Sequence, residues 1–227
     1  MHAHLADIPQ GLQRVTAGAT HARHRHAGAY AALVLCGTYE EAGARGRFRV
    51  RPGDVLFHAA FDSHGDRFGA ADARILNLPL PPSWSAPSAG GRCGSVARVV
   101  RLAAQCPRDA AEALLDDFEP AAPVAADWPD LLVADLQRDP SLALATWAVR
   151  RGLSHETLSR GLRRVYGTAP AKLRREIRAQ KAWQLLATTT LGLAQIALTC
   201  GFADQAHMTR EVVQLTGRTP GAWRYRA

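Results

Sequence analysis

The chain has 227 residues and a formal net charge of +8, with 47 % apolar and 21 % charged residues. That composition suffices for one large or two small packed domains and excludes a disordered tail or a fibre. No run approaches the roughly 18–20 apolar residues that a membrane span needs, and residues 1–10 lack the basic end and apolar stretch of a secretory signal. We therefore expect a cytoplasmic protein with no membrane partner.

Charge and histidine content divide the chain into two halves. Residues 1–129 contain 13 Arg and 13 Asp+Glu, whereas residues 130–227 contain 15 Lys+Arg and 7 Asp+Glu. Seven of the nine histidines fall within the first 64 residues. We expect two domains with different chemistry. A basic half indicates a polyanionic partner such as nucleic acid, although a solvated basic face without a partner has the same composition.

Short apolar segments separated by Gly and Pro predict a β-rich N-terminal domain. The segments cover residues 30–35, 47–50, 55–57 and 74–78, with turns at 43–46 and 52–54. This spacing is typical of an all-β sandwich or barrel. Residues 79–92 are rich in Pro, Ser and Gly, and we predict that they form a loop.

Two helices are predicted after the β segments. Val96, Val99, Val100 and Ala103 repeat at helical spacing, and a second apolar pattern follows Pro107. A second group of helix breakers lies at residues 119–123, before a capping Asp and a Pro suited to a first helical turn. We predict a β domain at 1–92, a helical segment at 93–118, a linker at 119–127 and a final domain at 128–227.

Every segment beyond the linker has helical periodicity. The predicted helices cover residues 131–138, 142–150, 154–165, 171–187, 193–199 and 204–215. The fold class is therefore α+β with two domains, the second of them all-α.

The all-α half contains an internal repeat. Leu144, Ala148 and Gly152 match Leu193, Ala197 and Gly201 at an offset of 49 residues. After the turn the offset becomes 50, as in Leu158 and Met208, Arg160 and Arg210, and Gly167 and Gly217. Each copy has a small Ala for close helix crossing, a turn Gly that permits a positive φ, and a second helix with cationic residues, which is typical of a helix-turn-helix. One copy alone is more often an ordinary helical hairpin, but two matched copies favour DNA binding.

Residues 128–227 resemble the DNA-binding domain of the AraC/XylS family of bacterial transcriptional regulators. The resemblance rests on Leu153-Ser154, Leu158-Ser159-Arg160, Gly167, Pro170, Arg178, Ile196-Ala197, Gly201-Phe202-Ala203-Asp204-Gln205, Thr209-Arg210 and Gly217-Arg218-Thr219-Pro220. Leu162 and Val212 stand where the family usually has an aromatic residue. The resemblance implies two helix-turn-helix units that bind double-stranded DNA.

The resemblance also implies roles for individual side chains. The base-contacting residues would be Glu156, Ser159 and Arg160 in the first unit and Gln205, His207 and Arg210 in the second. Candidate phosphate contacts are Arg163, Arg164, Lys172, Arg174, Arg175, Arg218 and Arg224, which would position the domain without distinguishing sequences. A solvated surface charge is the alternative for each arginine.

The sequence pattern around the histidines of the first half resembles that of the cupin fold in its sensory-domain form. His24 and His26 alternate on a predicted strand and therefore share a face, and His64 follows after Pro52-Gly53-Asp54. The carboxylate that a cupin metal site needs is missing, because Tyr30 or nearby Ala stands at its expected position and Glu40 and Glu41 follow a turn.

Three interpretations of these histidines remain open. They could line the pocket of a small organic effector, hold a divalent ion, or lie on the surface. If a metal binds, His24, His26 and His64 are its first candidate ligands, with His21, His58 and Tyr30 in reserve, and three histidines favour zinc, nickel or iron. The four cysteines lie far apart and predict neither disulfides nor a zinc knot.

The leading hypothesis is a sequence-specific transcriptional regulator whose barrel senses a small ligand or a metal ion, and not an enzyme. The alternative is a cupin-type metalloenzyme, an oxygenase or isomerase, fused to a DNA-binding module. The helices within 93–118 would couple the two domains, and either they or the barrel would form a homodimer. Packing of their apolar stripe onto the barrel explains the same pattern equally well.

Overall fold

The computed structural model describes residues 4–81, 88–121 and 127–224 of the chain. It divides into two compact units, Met1–Ala126 and Asp127–Ala227. The first is built from strands with two helices, and the second is helical. The predicted two-domain α+β class is therefore confirmed, with a β-rich N-terminal unit and an all-α C-terminal unit. The cupin likeness of the first unit stays a prediction.

Two sheets form the first unit. The strands are β1 (His4–Ala6), β2 (Gly11–Val15), β3 (Thr20–His26), β4 (Tyr30–Cys36), β5 (Tyr39–Gly43), β6 (Gly46–Val50), β7 (Asp54–His58), β8 (Ser63–Phe68), β9 (Ala73–Pro79), β10 (Gly90–Cys93) and β11 (Phe118–Ala121). The first sheet has the order β1-β3-β8-β5-β6 and the second has the order β11-β10-β7-β4-β9-β2. Within both sheets the described pairs are antiparallel except β1 with β3, which is parallel.

Strand β4 is apolar throughout because both of its faces are covered. Tyr30, Ala32 and Val34 belong to the apolar cluster that both sheets share. Ala31 and Leu33 belong to a second cluster on the opposite face, which includes residues of the two helices that follow the strands. A strand buried on both faces is a continuous apolar run rather than an alternating one, which is the pattern that the sequence shows at residues 30–35.

The two helices of the first unit are α1 (Val96–Ala103) and α2 (Pro107–Asp116), as the periodicity predicts. Val99 is fully buried in the cluster with Ala31 and Leu33, and Val96 and Ala103 pack against it. Val100, at 38 % exposure, is the member of the stripe that faces solvent. The stripe is thus occupied largely by packing against the second sheet.

Two local predictions differ from the structure. Residues 90–92 of the predicted loop belong to β10, and Phe118–Ala121 overlap the predicted linker but pair with β10 as β11. Neither segment has the apolar alternation of a strand. β10 lies between β11 and β7 and places Cys93 in the core, whereas β11 is an edge strand held by its pairing with β10. Residues 82–87 of the loop and 122–126 of the linker lie outside the described residues.

The helices of the second unit follow the predicted order. They are α3 (Trp128–Arg138), α4 (Leu144–Val149), α5 (His155–Tyr166), α6 (Pro170–Thr188), α7 (Leu193–Thr199), α8 (Gln205–Thr216) and α9 (Pro220–Arg224). The short α9 was not predicted from the sequence. Helix α6 has 19 residues and is therefore about 28 Å long. It packs against α5 on one side of the repeat and against α7, α8 and α9 on the other.

None of the helices in the described ranges is both long enough and apolar enough to cross a membrane.

Candidate DNA interface and histidine site

The two helix-turn-helix units have the same turn. Gly152 and Gly201 adopt φ angles of 64° and 74°, in the left-handed region that glycine tolerates without strain. Leu153 N donates to Ala148 O at 3.0 Å, and in the second copy Phe202 N donates to Ala197 O at 2.9 Å. The repeat that the sequence shows at offsets of 49 and 50 is therefore a repeat of backbone hydrogen bonds.

The second helix of each unit begins and ends in the same way. The Ser154 hydroxyl accepts from Thr157 N at 3.1 Å at the start of α5, and the Asp204 carboxylate accepts from His207 N at 2.7 Å at the start of α8. These side chains satisfy backbone N–H groups that the first turn of a helix leaves unpaired. Both helices end at a glycine with positive φ, Gly167 and Gly217.

One face of each second helix is buried and the other is exposed. Leu158 and Leu162 of α5, and Met208 and Val212 of α8, are at most 2 % exposed. The residues that replace the family's aromatics thus fill the core. Trp147, Ile196 and Phe202 are buried as well, and the half-buried Trp223 packs against the cluster that contains Ile196 and Phe202.

The predicted base-contacting residues lie away from these buried faces. Glu156, Arg160, Gln205 and Arg210 are exposed, and Ser159 and His207 are half-buried. The backbone N–H of Glu156 itself and then the Ser154 hydroxyl lower the pKa of the Glu156 carboxyl, so it is an ionised hydrogen-bond acceptor at neutral pH. The His207 ring contacts the Phe202 ring at 5.2 Å between centroids, and its Nε2 lies 3.8 Å from Glu211.

The predicted phosphate contacts divide into two groups. Arg163, Arg164, Arg175 and Arg218 are exposed. The other three are half-buried: Lys172 Nζ lies 3.8 Å from Glu176, Arg174 donates to Leu142 O at 3.1 Å, and Arg224 donates to Leu191 O. The guanidinium groups of Arg174 and Arg224 therefore hold loops of their own domain.

Four histidines meet inside the β-rich unit. The candidate ligand atoms of His24, His26 and His64 lie within 4.8 Å of one another, and so do those of Glu41, His58 and His64. His24 and His26 come from β3 and His64 from β8, and the register places His24 directly opposite His64. His26, His58 and His64 are buried, and His24 is half-buried. None of these four is a surface histidine, so that interpretation of the cluster is wrong.

Hydrogen bonds fix the tautomers of the two β3 histidines. His24 Nδ1 donates to Ala22 O at 2.9 Å, and His26 Nδ1 donates to Asp7 O at 2.5 Å. Since a carbonyl oxygen only accepts, each Nδ1 carries the proton and each Nε2 keeps a lone pair when the ring is neutral. Burial lowers the pKa of His26 to about 4, and burial also lowers the pKa of His64 well below its usual value. Both rings are therefore neutral at pH 7.

A carboxylate does reach the cluster, from a strand that the sequence does not predict. Glu41 lies on β5, and its two carboxylate oxygens accept from His58 Nε2 at 3.1 and 3.0 Å. Burial opposes protonation of His58, but the charge and hydrogen bond of Glu41 outweigh it and raise the pKa of His58. Burial has the opposite effect on the acid and raises the pKa of Glu41. Only the pairing of β5 with β8, which lie 20 or more residues apart in sequence, brings Glu41 here.

The remaining candidates surround the cluster. The Tyr30 ring stacks on His58 at 4.3 Å between centroids, and its hydroxyl lies 3.3 Å from His64 Nε2. His21 Nδ1 donates to Asp66 at 3.2 Å, and this hydrogen bond raises the pKa of His21. His58 Nδ1 and His64 Nδ1 are buried nitrogens with no hydrogen-bond partner.

These residues line one cavity of about 70 Å³. Its wall includes His21, His24, His26, Tyr30, Glu41, His58, His64, Asp66 and Asn77. The volume is well below the roughly 300–1,000 Å³ of pockets for drug-sized ligands and is enough for an ion with one or two waters.

Comparison with known proteins bears on the helical unit. Residues 147–226 match a family model described as a helix-turn-helix domain. The structure is similar to the C-terminal domain of AraT, a response regulator from Geobacillus stearothermophilus, at 24 % identity over 44 % of this chain and 84 % of that chain, with a TM-score of 0.41. It is similar to the DNA-binding domain of AdpA, a global transcriptional factor solved with a target DNA, at 25 % identity over 44 % and 93 %, with a TM-score of 0.42.

One similar structure spans both units. It is ToxT from Vibrio cholerae with a bound unsaturated fatty acid, at 10 % identity over 95 % of this chain and 94 % of that chain, with a TM-score of 0.42. No curated protein sequence matches the chain.

The family match and the two repeated units define the class of the C-terminal unit: it is a helix-turn-helix DNA-binding domain. This match lies within residues 128–227, where the sequence resembles the AraC/XylS DNA-binding domain.

Proposed function

We propose that the chain is a sequence-specific transcriptional regulator, acting in the cytoplasm on double-stranded DNA, and that its β-rich unit senses a small ligand or a metal ion. The observation that carries the proposal is the repeated helix-turn-helix, in which both second helices keep the predicted base-contacting residues off the buried face. Helix α6, about 28 Å long, is a suitable spacer for two major-groove contacts one DNA turn, about 34 Å, apart.

The exposed side chains of α5 and α8 supply the chemistry for distinguishing bases. Arg160 and Arg210 are suited to bidentate contact with guanine, Gln205 to adenine, and the ionised Glu156 to the amino group of cytosine. Ser159 and His207 complete the two sets. Each good contact contributes about 1–3 kcal/mol of discrimination against a wrong base.

Phosphate contacts are assigned to the exposed cations. Arg163, Arg164, Arg175 and Arg218 lie at the surface of the helical unit and would neutralise phosphates without selecting a sequence. Arg174 and Arg224 have backbone carbonyls of their own domain as partners, and we assign them to stabilising the loops at Leu142 and Leu191. Lys172 and Arg175 each lie 3.8 Å from a carboxylate, that of Glu176 and that of Glu211, and are weaker candidates than the other exposed arginines.

An effector in the β-rich unit acts only if it binds one conformation of the protein better than another. The cavity at His24, His26 and His64 is the proposed effector site. A homodimer through residues 96–118 would use the outer side of α1, where Val100 is exposed, because the rest of the stripe packs on the second sheet.

The histidine cluster with Glu41 also favours a second candidate, a cupin-type metalloenzyme fused to the DNA-binding domain. Metal analysis of the purified chain, followed by a turnover assay with any iron found, separates the two functions. Oxygen- and iron-dependent turnover would support the enzyme, and an effect of the ligand on DNA binding would support the regulator.

Selection from a random DNA pool with the full chain tests the proposal. We expect a bipartite sequence whose halves are about 10 bp apart, since the two units would contact successive major grooves. The matched control is the double variant Arg160→Ala/Arg210→Ala, which keeps the exposed phosphate-contact cations. Recovery of the same sequence by this variant, or of no sequence by the unaltered chain, would contradict the proposal.

A further inference from the structure

We propose that the occupant of the cavity in the β-rich unit is a divalent transition-metal ion, held by His24 Nε2, His26 Nε2 and one ring nitrogen of His64. This inference deepens the proposed function, on which it rests for its regulatory meaning, by assigning the effector to a chemical class. The three histidines are the candidate ligands that the sequence indicates, and the structure adds the hydrogen bonds that support two of them.

Hydrogen bonds already orient the rings of the two β3 histidines for metal binding. Their Nδ1 protons are committed to the carbonyls of Ala22 and Asp7, so each ring presents the Nε2 lone pair in a fixed orientation. A hydrogen bond from the second ring nitrogen to a carbonyl is the usual support of a metal-bound histidine. Neither bond is needed for a ring that merely lines an organic ligand's pocket.

A buried ring nitrogen of His64 also supports the metal assignment. This side chain is 3 % exposed, and its Nδ1 has no hydrogen-bond partner. An unsatisfied buried polar atom costs about 1–3 kcal/mol, so its retention needs a compensating partner such as an ion or an ordered water.

A second group of side chains could also hold a metal ion, but it is less suitable. Glu41, His58 and His64 also lie within 4.8 Å of one another, but Glu41 and His58 already satisfy each other through the bonds at 3.0 and 3.1 Å. A metal at that set would have to break this pair. At the first set it would displace no protein hydrogen bond of His24 or His26.

The size of the cavity and the imidazole nitrogens in it also favour a metal ion. About 70 Å³ accommodates an ion with a water better than a sugar or a fatty acid. Three imidazole nitrogens favour zinc, nickel, cobalt or iron over magnesium and calcium. Zinc–nitrogen bonds of about 2.0–2.1 Å require the three nitrogens to approach to about 3.3–3.4 Å, a side-chain adjustment on the order of 1 Å from the present separations.

Titration of the chelator-treated, tag-free full chain with Co²⁺ and Zn²⁺ tests the assignment. We expect one equivalent of Co²⁺ to bind with the visible absorption of a nitrogen-coordinated ion, and Zn²⁺ to displace it. The double variant His24→Ala/His26→Ala removes two ligands of the first set and leaves the second set complete. It should lose roughly 100-fold or more in Zn²⁺ affinity, since even outer-shell partners of a metal ligand contribute about 10–100-fold.

Glu41→Gln is the matched control, because it removes only the acid of the second set; we expect its Zn²⁺ affinity to change less than tenfold. His24→Gln, at a half-buried position, is a second test if the double variant does not fold, and circular dichroism checks folding of each. A 100-fold loss in Glu41→Gln with none in the histidine variants, or no binding of either ion to the unaltered chain, overturns the proposal. These measurements contain no DNA, so failure of DNA selection would refute the regulator without touching the metal site.

Discussion

Individual arginines in the helical unit have different neighbours, and we propose different roles for them. Arg160 and Arg210 are exposed at equivalent positions of α5 and α8. Arg163 is also exposed and follows Arg160 by three residues on α5. Arg174 donates to Leu142 O, and the sequence had grouped it with the phosphate contacts. Because Arg174 donates to a backbone carbonyl of its own domain, we assign it to domain stability rather than to phosphate contact.

We expect Arg160→Ala to relax base preference at one half of the binding site by about 1–3 kcal/mol, because it removes a base contact. Arg163→Ala should weaken binding to all sequences about equally and reduce the salt dependence by about one phosphate contact. Titration of both variants against the selected sequence and a scrambled one, at several salt concentrations, measures the difference. Identical behaviour of the two variants would contradict the assigned roles.

His21 gives the β-rich unit a pH-dependent contact. The hydrogen bond to Asp66 raises the pKa of His21 above its usual value of 6.5, which favours the protonated ring in the folded state. Its contribution to the free energy of unfolding is therefore complete below pH 6.5 and is lost as the pH rises through the folded pKa. Partial exposure of the ring screens and reduces this contribution.

Urea unfolding of the unaltered chain and of His21→Gln, without metal, should show a stability difference at pH 6 that shrinks by pH 8.5. Subtracting the two curves removes the opposing effect of His26 and His64, which both chains share. A difference that grows with pH would mean that the pair does not stabilise the protonated ring.

At the scale of elements, the two helix-turn-helix units differ in how tightly their turns are packed. Gly152 and Gly201 both have positive φ, but a Cβ at Gly152 would meet no atom within 4 Å, whereas at Gly201 it would lie 3.0 Å from Ser141 Cα. The first turn is open, and the second is pressed against the loop between α3 and α4.

We expect Gly152→Ala to lower the free energy of unfolding by about 1–2 kcal/mol, the cost of a left-handed L-residue. Gly201→Ala should cost more, because the backbone at Ser141 would have to move as well. Chemical denaturation of the two variants measures this pair. Equal losses would show that the loop gives way without cost.

Helix caps are a second element-level feature shared by the repeat. Ser154 and Asp204 each accept from the N–H three residues on, at 3.1 and 2.7 Å. Replacing either by Ala should cost about 0.5–2 kcal/mol of stability. Since neither cap is among the proposed base-contacting residues, thermal unfolding and DNA titration of Ser154→Ala and Asp204→Ala should show stability falling while the preferred DNA sequence stays the same. A changed sequence preference would mean that the caps themselves contact bases.

At the scale of the whole molecule, the two proposed functions belong to different units. Residues 127–227 form a compact unit of their own, with a core that includes Ala182, Ile196, Phe202, Met208 and Val212. The histidine site is built entirely from strands of the other unit. The proposed metal site and the proposed DNA contacts therefore lie in separate parts of the chain.

We expect the isolated residues 127–227 to bind the selected DNA with an affinity that Zn²⁺ does not change. In the full chain, the affinity should respond to Zn²⁺, and the His24→Ala/His26→Ala variant should lose that response. Band-shift titrations with and without Zn²⁺ compare the three proteins. A response in the isolated unit would place the sensing site within it, and an equal response in the variant would place it outside the histidine cluster.

The sequence by itself determined the order of the helices, the repeat and which side chains of α5 and α8 are exposed, because these depend on local periodicity, capping residues and glycines within a few residues of one another. It also placed His24, His26 and His64 together, since β alternation and the cupin resemblance both point to them. Only the tertiary structure decided that Glu41 pairs with His58, that Phe118–Ala121 joins the sheet, and that Arg174 and Arg224 bind backbone carbonyls. Those contacts join segments 17 to 33 residues apart through strand pairing and loop packing, which no local pattern encodes.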